Sequence, residues 1–167
     1  MIAIAGLIAA FVIPGLLGMR HRYQLRSSAT DVLATFKRVQ SEAIKRNARV
    51  AIKIDTGTGT CTVFVDDGAG GGVANDVDRN GTEQILFTTT MQPGTAFTNA
   101  TIPLVAGNPS IEFNSRGLLF TSAGQLTAPV AIDVASGTGI SVQYQIALSV
   151  TGHVNLLTST NGGTTFR

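Results

Sequence analysis

The stretch from Leu25 to Ala43, LRSSATDVLATFKRVQSEA, decides the architecture of this 167-residue chain. Its apolar residues recur at alternating intervals of four and three positions, which is the spacing of one face of an α-helix. Most of the polar residues lie off that face. The spacing predicts an amphipathic helix over residues 20–47 whose apolar stripe packs against the rest of the protein. The stripe consists of Leu25, Ala29, Val32, Phe36, Val39 and Ala43.

The residues ahead of this helix, Met1 to Met19, contain no charged side chain. At ~1.5 Å per residue, a helix of that length spans roughly the ~30 Å hydrocarbon core of a bilayer. A cleaved secretory signal would have a basic region before the apolar run, and this run starts without one. We expect residues 1–19 to be the transmembrane half of one long helix. Pro14 softens that half because it removes a backbone donor.

A basic cluster follows the apolar run directly. It leaves two partners open, lipid headgroups or anionic neighbouring proteins. Taken alone, the rule that positive charges stay inside would place this cluster in the cytoplasm. The cluster consists of Arg20, His21, Arg22 and Arg26.

From Arg49 onward the apolar period changes to two, which is typical of β-strands. Val50, Ile52 and Ile54 alternate with other residues, and a turn at Asp55–Gly59 predicts a hairpin. Short strands separated by glycine-containing turns predict an antiparallel sheet or β-sandwich head over residues 48–167. The expected fold class is α+β, with the long N-terminal helix packed on this head. Further strands are predicted at Ile85–Thr88, Ser110–Phe113, Leu118–Thr121, Val130–Val134, Ile140–Val150 and His153–Leu157.

An acidic, glycine-rich segment lies between residues 66 and 83. Its Asp76-x-Asp78-x-Asn80-Gly81 motif matches the start of an EF-hand calcium loop. The twelfth position is Phe87 rather than a carboxylate, which excludes a true EF-hand. Two interpretations remain: a flexible hairpin tip, or a weak calcium site built from oxygen ligands. The ligands of that site would be Asp66, Asp76, Asp78 and Asn80.

The residues of catalytic sites are scarce. The chain has two histidines and one cysteine, and no nucleophile, base or metal cluster recurs at a usable spacing. We expect no enzyme and, calcium aside, no cofactor. A net charge of +2 is too small to indicate a nucleic-acid partner by itself. Lys45, Arg46 and Arg49 are the residues that could contact DNA phosphates.

Several stretches of this chain carry a family resemblance. It resembles the type IV pilin-like proteins, and in particular the subgroup of the type II secretion minor pseudopilin H and the FimT minor pilins. The stretches are Gly6-Leu-Ile-Ala-Ala-Phe-Val-Ile-Pro14, Ser41-Glu-Ala-Ile-Lys-Arg-Asn47, Val63-Phe-Val-Asp66 with Asp78 and Glu83-Gln-Ile-Leu86, Ile111-Glu-Phe-Asn-Ser-Arg-Gly117, and Ser149-Val-Thr-Gly-His-Val154.

The resemblance implies a structural subunit that assembles through its N-terminal helix into a type IV pilus or a secretion pseudopilus. Its partners would be copies of itself or other pilin or pseudopilin subunits. The inner membrane would hold it before assembly with the head in the periplasm, and a prepilin peptidase and an assembly platform would act on it. Small residues would let neighbouring helices approach closely. The assembly residues are Gly6, Ala9, Ala10, Phe11, Pro14 and Gly15.

Two departures from the family pattern stand out. Met1–Gly18 contain no glutamate, whereas family members carry one that pairs with a neighbouring subunit. His153 occupies a turn position where the DNA-uptake pilins carry arginine, which makes DNA an unlikely partner. The alternatives to a filament subunit are a DNA-binding minor pilin for DNA uptake and a membrane-anchored β domain with an unrelated binding role.

Overall fold

A computed structural model describes the backbone of residues 2–137 and 141–167, and the side chains from Gly18 onward within those ranges. This described part forms one helix, α1, from Ile2 to Arg46, followed by eleven strands. The strands are β1 Val50–Asp55, β2 Thr60–Val65, β3 Ile85–Thr90, β4 Thr95–Ala100, β5 Leu104–Val105, β6 Asn108–Phe113, β7 Leu119–Thr121, β8 Gly124–Gln125, β9 Val130–Ser136, β10 Gln143–Leu148 and β11 Val154–Ser159.

The helix ends at the predicted place. Asn47 follows its last residue with a left-handed φ of 50°. The Asn47 amide donates to the carbonyl of Ile44, and the Ala48 amide donates to that of Ala43. This pair of reversed hydrogen bonds is the Schellman ending, in which asparagine is the usual substitute for glycine. Lys45 and Arg46 occupy the last turn, where cations suit the helix dipole.

The strands form two antiparallel sheets in the described residues. The first has the order β3-β2-β1-β6-β7-β8, with β5 attached to β6, and the second has the order β11-β10-β9-β4. The β1–β2 hairpin turns at the predicted position, and the Asp55 carboxylate accepts amide hydrogens from Gly57 and Thr58. The backbone amide of Thr58 is the main reason that the pKa of Asp55 is lowered.

The helix packs against both sheets. All six stripe residues are at most 1% exposed. They share one apolar core with Ile52, Ile111 and Phe113 of the first sheet and with Ile132 and Ile146 of the second. The predicted α+β class, a long helix on antiparallel sheets, is confirmed.

The sequence-based strand assignments fail in specific places. Strands β4, β5 and β8 were not predicted, and two of them are only two residues long. β4 reads TAFTNA and buries only Phe97, so its polar residues hide the alternation. The predicted strand Ile140–Val150 is shorter, from Gln143 to Leu148. Its first residue, Ile140, lies outside the described residues.

Candidate functional site

The predicted assembly residues lie outside the side chains that the structure describes, so their role stays a prediction. They are Gly6, Ala9, Ala10, Phe11, Pro14 and Gly15. The backbone around them is helical and passes through Pro14 without interruption. Among the described residues, no helix is both long and apolar enough to cross a membrane.

Leu25 is the first residue, among the described side chains of the helix, that the head buries. Ahead of Leu25, the described side chains are exposed or half-buried. Two large side chains of this segment are exposed, Met19 at 56% and Tyr23 at 67%. Arg22 and Arg26 lie on the same helical face as these two, because positions i, i+3, i+4 and i+7 share a face. This part of the helix therefore presents a mixed apolar and basic surface.

Gln40 ties the helix to a tight turn in each sheet. Its side-chain amide donates to the carbonyl oxygen of Gly117 at 3.0 Å and to that of Gly152 at 3.2 Å. The Gly117 turn joins β6 to β7, and the Gly152 turn joins β10 to β11. These turns are the two strand-turn motifs that carry the family resemblance. Through these hydrogen bonds, the two turns attach one end of the head to the helix.

A polar groove opens beside this junction. It has a volume of about 580 Å³ and runs between the helix and the β10–β11 turn. Lys37 and Gln40 line one side, and Gly152, His153 and Asn155 line the other. The groove holds one permanent cation and a histidine, with no catalytic constellation among its described lining residues.

The three candidate DNA contacts are not equivalent. Arg46 and Lys45 pair with Glu42 at 3.0 Å and 3.7 Å. Arg49 turns away from them, because its guanidinium pairs with Glu112 and lies 4.7 Å from the centre of the Phe120 ring. The three side chains therefore do not form one free basic patch. DNA binding stays a prediction without support from this geometry.

Glu112 is a buried acid that the sequence analysis missed. Its side chain is fully buried on the face of the first sheet that points away from the helix. Arg49 donates to Oε1, whereas Oε2 has no hydrogen-bond partner. Burial raises the pKa of Glu112 to about 7, against the opposing effect of Arg49 and with a further contribution from the neighbouring Asp66. The strand sequence IEF predicts an outward residue here, which normally means exposure to solvent.

The acidic segment of residues 66–84, which we call the covering loop, explains this burial. It folds over the outer face of the first sheet, where Val77 packs against Ala51 and Phe64. The loop is close-packed within itself as well. A Cβ on Gly72 would lie 1.9 Å from the Asn80 side-chain oxygen. The segment is the connection between the paired strands β2 and β3, as the hairpin interpretation expects, and it packs on the sheet. Its flexibility stays a prediction.

The candidate calcium ligands already have hydrogen-bond partners, within the covering loop or on β1. The two Asp66 oxygens accept amide hydrogens from Asn75 at 2.6 Å and Val77 at 2.8 Å. Asp78 accepts from Lys53 at 2.7 Å, and Asp76 accepts from the Asn80 side chain at 2.7 Å. In the part of the chain that the structure describes, no three His, Cys, Asp or Glu side chains are placed to hold a metal ion. Calcium binding stays a prediction, which these contacts do not favour.

Known proteins of two kinds share this fold. The minor pilin FimU of Pseudomonas aeruginosa is 15% identical and superposes with a TM-score of 0.58, over 81% of this chain and 89% of FimU. The minor pseudopilin EpsH of the Vibrio cholerae type 2 secretion system is 18% identical with a TM-score of 0.57, over 80% of this chain and 96% of EpsH. At this identity the likeness shows a common fold. No curated protein sequence matches the chain.

The sequence also matches one protein family. Residues 28–152 fit the family described as type II transport protein GspH. The match begins within the amphipathic half of the helix, includes Gln40 and the Gly117 motif, and ends at Gly152 within the second motif. It covers well over half of the chain, and the predicted resemblance is confirmed. The chain belongs to the GspH family of pilin-like proteins.

Proposed function

We propose that this protein is a structural subunit that assembles through α1 into a type IV pilus or a type II secretion pseudopilus. It performs no catalysis. Its partners are further copies or other pilin-like subunits. The inner membrane holds it before assembly, with the head in the periplasm. A prepilin peptidase and an assembly platform act on it there.

The observation that carries this proposal is the division of the helix at Leu25. From Leu25 to Ala43 the apolar stripe is sealed inside the head. Ahead of it, helical backbone continues back to Ile2, and the described side chains there, up to Gln24, are exposed or half-buried. We infer that the apolar sequence of residues 1–19 has an apolar partner outside the head, because apolar surface left in water is unfavourable. Lipid and neighbouring helices are the two partners that suit it.

Assembly would exchange one apolar environment for another. Residues 1–18 would leave lipid and pack among equivalent helices, so that the gain comes from close packing rather than from removal from water. Ala9 and Ala10 suit this role, since their small side chains let helix backbones approach. Pro14 would supply a point at which the helix adapts to the new packing.

The experiment is a fibre-shearing assay. The full chain is expressed in cells that carry a complete pilus or pseudopilus system, fibres are sheared and sedimented, and the chain is detected with an antibody to the head. We expect the chain in the fibre fraction. Ala10→Lys should remove it, because a charge in a packed apolar helix contact is costly.

The matched control is Val73→Lys, which adds the same charge to a side chain that is 62% exposed on the head. This variant should leave the head folded and should enter fibres as the wild-type chain does. The proposal fails if the wild-type chain never sediments with fibres. It also fails if Ala10→Lys enters them as well as the wild-type chain does.

A further inference from the structure

Three arginines lie among the first helical residues whose side chains the structure describes. They are Arg20, Arg22 and Arg26, and we call them the arginine collar. All three side chains are exposed. They surround Met19 and Tyr23, the two exposed apolar residues of this segment. Arg20 and Arg22 lie between the uncharged residues Met1–Met19 and Leu25, the first described residue that the head buries, and Arg26 follows Leu25 directly.

The collar arginines have no acidic partner in the described residues. The ion pairs formed there use other cations, namely Lys45, Arg46, Arg49 and Lys53. Asp31 is the nearest acid on the helix, and its carboxylate accepts the Ser27 hydroxyl at 3.5 Å. A guanidinium presents a planar fork of donors that suits phosphate and carboxylate oxygens. The collar is thus a set of exposed donors that an external anion could satisfy.

The charge of the chain is distributed unevenly along the helix axis. Residues 18–26 carry three arginines and no acidic side chain, whereas residues 27–167, which include the part of the helix that packs in the head, carry one more acidic than basic side chain. An anionic surface would therefore attract the helix start and not the head. This arrangement favours an orientation in which the collar, rather than the head, faces the anion.

An acidic head of a second copy is the competing partner, and the head's own contacts argue against it. Asp66, Glu83, Glu112 and Asp133 are buried. The exposed Asp55 and Asp67 accept backbone amides of their own turns. Few carboxylate oxygens remain on the described part of the head for three arginines.

The apolar neighbours of the collar favour a lipid surface. Tyrosine is enriched at membrane interfaces, where its ring contacts the acyl boundary and its hydroxyl contacts water. Arginine side chains near the end of an apolar helix extend toward the headgroups and keep their charge out of the hydrocarbon. Tyr23 and Arg22 lie in the single helical turn where both requirements meet.

We propose that the arginine collar binds the phosphates of anionic phospholipids on the side of the membrane that carries the head, and so holds the unassembled subunit at a fixed depth. The inference rests on the proposed function, since it requires that residues 1–19 enter a bilayer. It adds a named lipid class and named residues to that function. Release from these phosphates would accompany each subunit's transfer into a fibre.

The test measures lipid preference around the full chain in vesicles. The protein is reconstituted in phosphatidylcholine with a trace of spin-labelled phosphatidylglycerol or spin-labelled phosphatidylcholine, and electron spin resonance gives the motionally restricted fraction of each. We expect the anionic label to associate roughly fivefold more strongly, as one basic contact near the surface provides. The preference should fade at about 1 M salt, where the screening length is about 3 Å.

Two variants distinguish the collar from net charge. The collar variant is Arg20→Gln, Arg22→Gln and Arg26→Gln together, and it should lose the preference. The control variant is Lys37→Gln, Arg79→Gln and Arg116→Gln together, which removes the same charge from exposed positions elsewhere. It should keep the preference. Both sets are exposed, so the head should stay folded in each.

Several results would overturn the inference. These are equal association of both labels with the wild-type chain, equal losses in the two variants, or no restricted lipid at all. In another outcome, the collar variant keeps the preference for the anionic label and loses only the association between copies of the chain. The collar would then bind a second copy, and the lipid assignment would be wrong. Failure here with normal fibre shearing would leave the filament function intact.

Discussion

The side-chain amide of Gln40 donates to the carbonyl oxygen of Gly152 at 3.2 Å, across 112 positions of sequence. The same amide reaches Gly117 at 3.0 Å in the other sheet. One side chain on the helix therefore connects both halves of the head. The two glycines also approach each other closely, since a Cβ on Gly152 would lie 2.1 Å from the Gly117 oxygen.

Replacing Gln40 by alanine should lower the free energy of unfolding by roughly 1–3 kcal/mol. Both carbonyl oxygens would lose a donor in a half-buried site, and unsatisfied polar groups cost about that much. Urea unfolding of the full chain in detergent, followed by circular dichroism, measures the change. The exposed neighbour Ser41→Ala should stay within about 0.5 kcal/mol of wild type. Equal free energies of unfolding for the two variants would show that the Gln40 hydrogen bonds do not stabilise the head.

Gly152→Ala should destabilise the head more than Gly94→Ala. Both glycines have a left-handed φ, 85° at Gly152 and 81° at Gly94, so both variants incur a conformational cost of about 1–2 kcal/mol. Only Gly152 has a backbone oxygen in the space of the new Cβ, because nothing lies within 4 Å at Gly94. The melting temperatures of both variants separate the cost of the left-handed backbone, which both share, from the cost of the steric clash, which only Gly152→Ala has. The same loss of melting temperature in both would contradict the close approach at Gly152.

The stability of the head should depend on pH through Glu112. Its pKa is raised from 4.5 to about 7, so the folded state keeps a proton that the unfolded state releases between these values. The free energy of unfolding should therefore fall as pH rises from about 4.5 to about 7, by up to about 3 kcal/mol, and level off above that.

The glutamine variant isolates this effect. Glu112→Gln cannot ionise, so its unfolding free energy should lack the decline seen in wild type over the same range. A suitable control is Asp133→Asn. Asp133 is another buried acid, in the second sheet, and it accepts a hydrogen bond from the Gln145 side chain. Parallel pH profiles for wild type and Glu112→Gln would show that Glu112 is not the group responsible.

Cys61 should be chemically silent in the folded protein. The thiol is buried in the apolar core, and burial raises its pKa to about 12, so almost no thiolate forms near neutral pH. A maleimide at about pH 7.5 should label the chain only after denaturation, as mass spectrometry would detect. Rapid labelling of the native chain would show that the core opens around β2.

Sequence reasoning located the helix, its ending at Asn47 and the first hairpin, because each depends on local spacing or a local turn. The family motifs around Gly117 and Gly152 were also visible. The contact that joins these two motifs was not visible. Gln40 is one polar residue beside an apolar stripe, and its hydrogen-bond partners lie far along the chain. Glu112 was missed for a related reason. Its burial depends on the covering loop, and no local pattern predicts where a glycine-rich loop folds back.

Cross-linking between copies gives the sharpest test of assembly through the N-terminal helix. The full chain with Ala10→Cys is expressed in cells with an assembly system and treated with a bifunctional maleimide, and head antibody then detects cross-linked species. Wild type is the background control, since Cys61 should not react. We predict cross-linked dimers from Ala10→Cys that appear only when the assembly system is present. Monomer alone, with the maleimide attached at the introduced thiol and fibres present, would contradict assembly through this helix.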